Sequence, residues 1–93
     1  MVIQQSENGT KGEFYYEVEG KKLGLMTYSQ AGPDKIIIDH TEVDDSLKGQ
    51  GIGYKFVEAS VEYARENSLK IVPLCPFANA VFKKRSEYND VKF

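Results

Sequence analysis

Ninety-three residues with 41% hydrophobic and 28% charged side chains suit one globular domain with a single core, and leave no room for a second domain. A net charge of −2 argues against a nucleic-acid module, which needs a basic excess, and no apolar run nears the roughly 20 residues of a membrane span. One cysteine excludes an intramolecular disulfide, and a single histidine beside it argues against a zinc cage. The first seven residues lack the basic-then-apolar pattern of a signal peptide, so a cytoplasmic protein is expected.

Residues 2–5 carry a weakly patterned strand, which Asn8-Gly9-Thr10-Lys11-Gly12 turns into the next element. Residues 13–18 and 22–29 read as strands joined by Glu19-Gly20-Lys21, a hairpin signal. After Ala31-Gly32-Pro33-Asp34, the run 35–43 is rich in β-branched residues and too short for a typical helix, so it reads as a third strand of this meander. From residue 53 to 67, Phe56, Val57, Ser60, Val61, Tyr63 and Ala64 recur at helical spacing on one side, with Glu58, Glu62 and Arg65 mainly outside. Asn67-Ser68 ends this longest helix, residues 69–73 read as a short buried strand, and Pro76 suits the first turn of a second helix through residue 82.

The junction between the third strand of the meander and the long helix is the most informative feature. It reads Lys48-Gly49-Gln50-Gly51-Ile52-Gly53, three alternating glycines opening an amphipathic helix. Glycine lets backbone N–H groups point into one concavity, and the helix adds its unbonded amides and positive dipole end, so the junction suits an anion such as a pyrophosphate. A tight turn is the alternative use of such glycines. Two rival phosphate sites lack their second element. No acidic residue stands at the tip of the next strand, as a dinucleotide fold requires, and Gly53 is followed by Tyr54-Lys55 rather than Lys-Ser/Thr.

These residues resemble the acyl-coenzyme A signature of the GNAT acetyltransferase superfamily, Arg/Gln-x-x-Gly-x-Gly/Ala after a strand, with Lys48 standing where Arg or Gln is usual. The resemblance runs from residue 35 to about 85 and continues through Lys70-Ile71-Val72-Pro73-Leu74-Cys75-Pro76-Phe77, which is similar to the strand-to-helix step of a minimal branch carrying a cysteine there. It implies an α+β GNAT-like fold over residues 1–93, an antiparallel meander followed by helix, strand and helix. It also implies an acetyl-coenzyme A site in which the backbone of Gly49, Gln50, Gly51, Ile52 and Gly53 cradles the pyrophosphate. Thr41, Glu42 and Val43 would pair with the pantetheine amides, Lys48 would belong to the loop's coenzyme contacts, Asn79 would hydrogen-bond the pantetheine arm or face solvent, and Phe82 would count among the coenzyme-binding residues. Lys83 and Lys84 would counter the coenzyme phosphates, although a basic run at a helix end also serves the dipole alone.

Three residues are candidates for the chemistry. Cys75 stands between Pro73 and Pro76 at a helix start, where positive potential favours an anionic sulfur; its readings are an inert buried cysteine, a nucleophile that takes the acetyl group transiently, or a small wall residue beside the thioester. His40 is the only histidine, either a strand residue facing solvent or the natural proton acceptor for an amine or thiol. By strand alternation it shares a face with Ile36, Ile38 and Glu42 unless a bulge shifts the register, which makes Glu42 a competing base. Members of the superfamily often use a tyrosine as acid in the last helix; here Phe77 and Phe82 offer no hydroxyl.

The expected activity is acetyl transfer from acetyl-coenzyme A to a small-molecule or peptide amine, directly or through Cys75, by a monomer or homodimer with no nucleic-acid or membrane partner. The alternative is a coenzyme A-binding regulatory or interaction module without turnover. An RNA-associated protein is disfavoured by the charge. The early helices usual in the superfamily are missing, which implies a small, open acceptor site.

Overall fold

A computed structural model describes residues 2–93, so Met1, the first residue of the expected domain, lies outside it. The elements in chain order are β1 (Gln4–Asn8), β2 (Lys11–Val18), β3 (Lys21–Gln30), β4 (Lys35–Val43), a 3-10 turn at Asp45–Leu47, α1 (Ile52–Glu66), β5 (Lys70–Pro73), α2 (Pro76–Lys84) and a second 3-10 turn at Ser86–Tyr88. The first strand sits further along than the expected residues 2–5. All five of its residues are exposed, so no apolar alternation marked its place.

The five strands form one sheet in sequence order, antiparallel from β1 to β4, with β5 parallel to β4. Parallel pairing requires a crossover, and α1 supplies it. Its 3.6-residue periodicity turns Phe56, Val57, Val61 and Ala64 inward, all at most 1% exposed, and α2 adds Ala78, Val81 and Phe82 to the same core. Each large side chain so buried contributes about 1.5–3 kcal/mol. The sheet meets the helices through Phe14, Met26, Tyr28, Ile36, Ile38 and Ile71, whereas Tyr15, Leu25, Thr27 and Ile37 on its opposite face stay half-buried. Among the described residues no helix is long and apolar enough to cross a membrane.

One irregularity decides where the functional side chains point. Along the β3–β4 pairing, Tyr28 faces Ile38 but Thr27 faces His40, so Asp39 is an extra residue in β4. Such a bulge reverses the alternation beyond it.

Candidate active site

Beyond the bulge, Thr41 and Val43 continue the helix-side face begun by Ile36 and Ile38, while His40 and Glu42 turn to the open face. The uninterrupted alternation that grouped His40 with Ile36 and Ile38 is thereby corrected: the inserted Asp39 moves it across the sheet. His40 and Glu42 do stay together, with Nε2 of His40 3.4 Å from Oε1 of Glu42 and side chains 58% and 65% exposed.

The same part of β4 has a free edge. β5 pairs only with Lys35 to Ile38, and the N–H of Cys75 adds a last link to the Ile38 carbonyl at 3.1 Å. Past that point the chain of β5 enters α2, leaving residues 39–43 bonded to β3 alone and a gap beside them. Backbone groups along such an edge are open to an extended polar ligand.

At the far end of the gap lies the glycine loop. The Asp44 carboxylate accepts hydrogen bonds from the Ser46 hydroxyl at 2.6 Å and its N–H at 3.0 Å, which cap the 3-10 turn and hold the carboxyl below its ordinary pKa. The loop leaves this turn through Gly49 at φ 83° and Gly51 at φ 73°, left-handed angles that side chains resist, and a Cβ on either would meet nothing within 4 Å. Gly51 is the N-cap of α1 and makes no side-chain capping bond, nor does the first turn hold an acidic residue. Among the described residues, the N–H groups of Gly49, Gly51, Ile52 and Gly53 find no backbone partner. Unsatisfied amides at a positive helix end fit an anion. The N–H of Gln50 is engaged with the Leu47 carbonyl at 3.2 Å, which takes it out of the expected cradle.

Gap and loop form one cleft of about 540 Å³, lined by Thr41, Val43, Lys48, Gly49, Gly51, Ile52 and Gly53, together with Leu47, Tyr54 and Phe77. The last three were not foreseen as lining. Tyr54 and Phe77 meet edge to face at 5.6 Å, and a Cβ on Gly53 would lie 2.6 Å from Phe77 Cζ, so this third glycine serves close packing of the two helix starts. A glycine beside an aromatic at the start of a helix is the signal that could have found them. Lys48 Nζ pairs with Asp45 at 3.0 Å at the rim.

The remaining expected residues are placed differently. Cys75 is the N-cap of α2, only 5% exposed, and its Sγ lies 3.3 Å from Oγ1 of Thr41 behind the cleft wall. His40 turns away from it on the opposite sheet face, so the expected support of the sulfur by His40 is not formed. Phe82, expected among the coenzyme-binding residues, is 2% exposed in the core with its ring edge-on to Tyr88 at 5.9 Å, which removes it from the surface. Asn79 is half-buried on α2; Lys83 and Lys84 are exposed in its last turn. Their neighbour Arg85 reaches the ring of Tyr54, its guanidinium 5.6 Å from the centroid.

A family model described as GCN5-related N-acetyl-transferase matches residues 13–91. Among solved structures, the chain is similar to a GCN5-like protein from Staphylococcus aureus, with 43% identity, 99% of this chain and 87% of that one covered, and a TM-score of 0.78. It is also similar to ribosomal-protein-alanine N-acetyltransferase from Brucella melitensis, with 18% identity, 84% and 62% covered and a TM-score of 0.68. A GNAT family acetyltransferase from Elizabethkingia anophelis with acetyl-CoA bound shares 15% identity over 70% and 43% of the two chains, with a TM-score of 0.60. The latter two likenesses concern the fold, and the chain spans less than two thirds of those proteins. No curated protein sequence matches.

Proposed function

This chain belongs to the GCN5-related N-acetyltransferase family, and on that premise we propose that it acts as a single domain, binding acetyl-coenzyme A in the cleft and transferring the acetyl group to an amine. The observation that carries the reading is the pair of unsatisfied backbone arrays on one cleft: the uncapped start of α1 for the pyrophosphate, and the free edge of β4 for the pantetheine amides. Gly49, Gly51, Ile52 and Gly53 hold the pyrophosphate through their N–H groups. Thr41, Glu42 and Val43 offer their main chain to the pantetheine arm, with Asn79 alongside, and Lys48, Lys83 and Lys84 add positive charge for the phosphates.

When bound, the donor supplies an activated thioester carbonyl. The acceptor is a small-molecule or peptide amine that approaches over the open sheet face, which among the described residues no helix covers. As the amine nitrogen bonds the carbonyl carbon it loses a proton to the His40–Glu42 pair on that face, while the carbon–sulfur bond breaks and coenzyme A leaves as a thiolate that takes up a proton. Direct attack therefore needs no residue behind the cleft wall. A second reading routes the acetyl group through Cys75, favoured by the contact of its sulfur with Thr41, which lines the cleft.

The test joins binding to turnover. Coenzyme A raises the melting temperature, by about 2.7 kcal/mol of stabilisation at a hundredfold excess over its dissociation constant. Acetyl-coenzyme A is consumed with at least one amine of a mixed panel. Absence of any thermal response overturns the binding site; a response without consumption under any amine leaves a coenzyme-binding module without turnover.

A further inference from the structure

We propose that Tyr54 seats the adenine ring of the coenzyme by stacking at the cleft rim. The inference rests on the reading above that the pyrophosphate occupies the start of α1. Two arms leave that pyrophosphate. The pantetheine follows the free edge of β4 toward Thr41, and the nucleotide needs a surface of its own.

Tyr54 has the properties of that surface. It follows Gly53 directly in the first turn of α1, lines the cleft, and is 39% exposed, whereas Tyr28 and Tyr88 are at most 7% exposed. Its ring is held rather than free. Phe77 abuts it at an interplanar angle of 70°, and the Arg85 guanidinium sits 5.6 Å from its centroid while also 3.8 Å from the Glu87 carboxylate. A planar ring fixed in this way, next to an anion-binding helix start, suits a purine base, which gains from stacking and from a nearby guanidinium.

Calorimetric titration of the wild type, Tyr54→Leu and Tyr54→Phe with coenzyme A, dephospho-coenzyme A and 4′-phosphopantetheine tests the assignment. Tyr54→Leu is expected to weaken the two nucleotide-bearing ligands by the same factor, about tenfold, the size that one base–aromatic stack carries. Binding of 4′-phosphopantetheine should be unchanged, which also verifies that the variant is folded, and Tyr54→Phe should match the wild type throughout. Equal weakening of all three ligands, or of none, overturns the stacking role and leaves the proposed function standing. A wild-type protein that binds none of the three overturns both.

Discussion

Oγ1 of Thr41 lies 3.3 Å from Sγ of Cys75, across the gap that opens where β4 and β5 cease to pair. The cysteine thus meets the cleft through a hydroxyl that lines it, not through its own exposed surface. Under direct attack, Cys75→Ala keeps its turnover and its coenzyme response, at a stability cost of about 1 kcal/mol for a small cavity. Intact mass after incubation with acetyl-coenzyme A stays that of the free chain. An added acetyl group that hydroxylamine removes, and that disappears together with turnover in Cys75→Ala, assigns the relay to the sulfur instead.

The placement of His40 and Glu42 on the open face makes them separable from binding. His40→Gln and Glu42→Gln are each expected to lower kcat by about a hundredfold, the lower end of general-base contributions, while the thermal response to coenzyme A persists. Their effects should combine less than additively, since the two side chains act as a pair. Initial rates with the best amine of the panel measure this; full turnover in both single variants moves the base elsewhere.

Gly51 and Gly53 are glycines for different reasons, and substitutions should tell them apart. Gly51→Val forces a β-branched residue to φ 73°, which shifts the loop backbone that presents the N–H groups, so the thermal response to coenzyme A should vanish. Gly53→Ala should act first on stability: its Cβ forces the Phe77 ring aside, an overpacking cost that the helix preference of Ala over Gly, about 1 kcal/mol, offsets in part, for a net loss of about 1 kcal/mol. Denaturant midpoints of Gly53→Ala and of Gly53→Ala combined with Phe77→Leu check the second claim, the smaller side chain restoring most of the loss.

Burial raises the Tyr28 phenol to about pH 12 against an ordinary 10.0, and the hydrogen bond from Gln5 Nε2 at 2.7 Å opposes this only in part. The folded state favours the protonated phenol. Its contribution is therefore whole below pH 10 and fades as the pH rises through about 12. Urea midpoints between pH 9 and 12 should fall in the wild type and fall less in Tyr28→Phe, with tyrosinate absorbance tracking the ionisation.

Where local physics decides the structure, the sequence was legible. The spacing of Phe56, Val57, Ser60, Val61 and Ala64 located α1 to within one residue at each end, and the buried Ser60 satisfies its own hydroxyl on the Val57 carbonyl at 2.6 Å. The glycines marked the loop because their backbone angles are a local requirement. Non-local features stayed hidden. Ile36, Ile38, His40 and Glu42 alternate without a break, and only pairing with β3 reveals Asp39 as the extra residue. Phe82 and Phe77 look alike in sequence; packing against Tyr88 buries one, and packing against Gly53 and Tyr54 puts the other on the cleft. The last residues gave no pattern either, yet Lys92 bridges to Ile71 and covers the outer edge of β5.

The bulge at Asp39 divides β4 into two stretches under different constraints. Before it, Ile36 and Ile38 are bound to the core, and most replacements there should be paid for in folding. After it, the side chains of His40 and Glu42 have no core to fill, while the main chain on which the cleft depends is indifferent to which residues carry it. Replacing His40 or Glu42 should therefore register in turnover rather than in folding, because neither side chain supports the core. In a chain this small, one inserted residue thus separates the part of the strand that answers to folding from the part that does not.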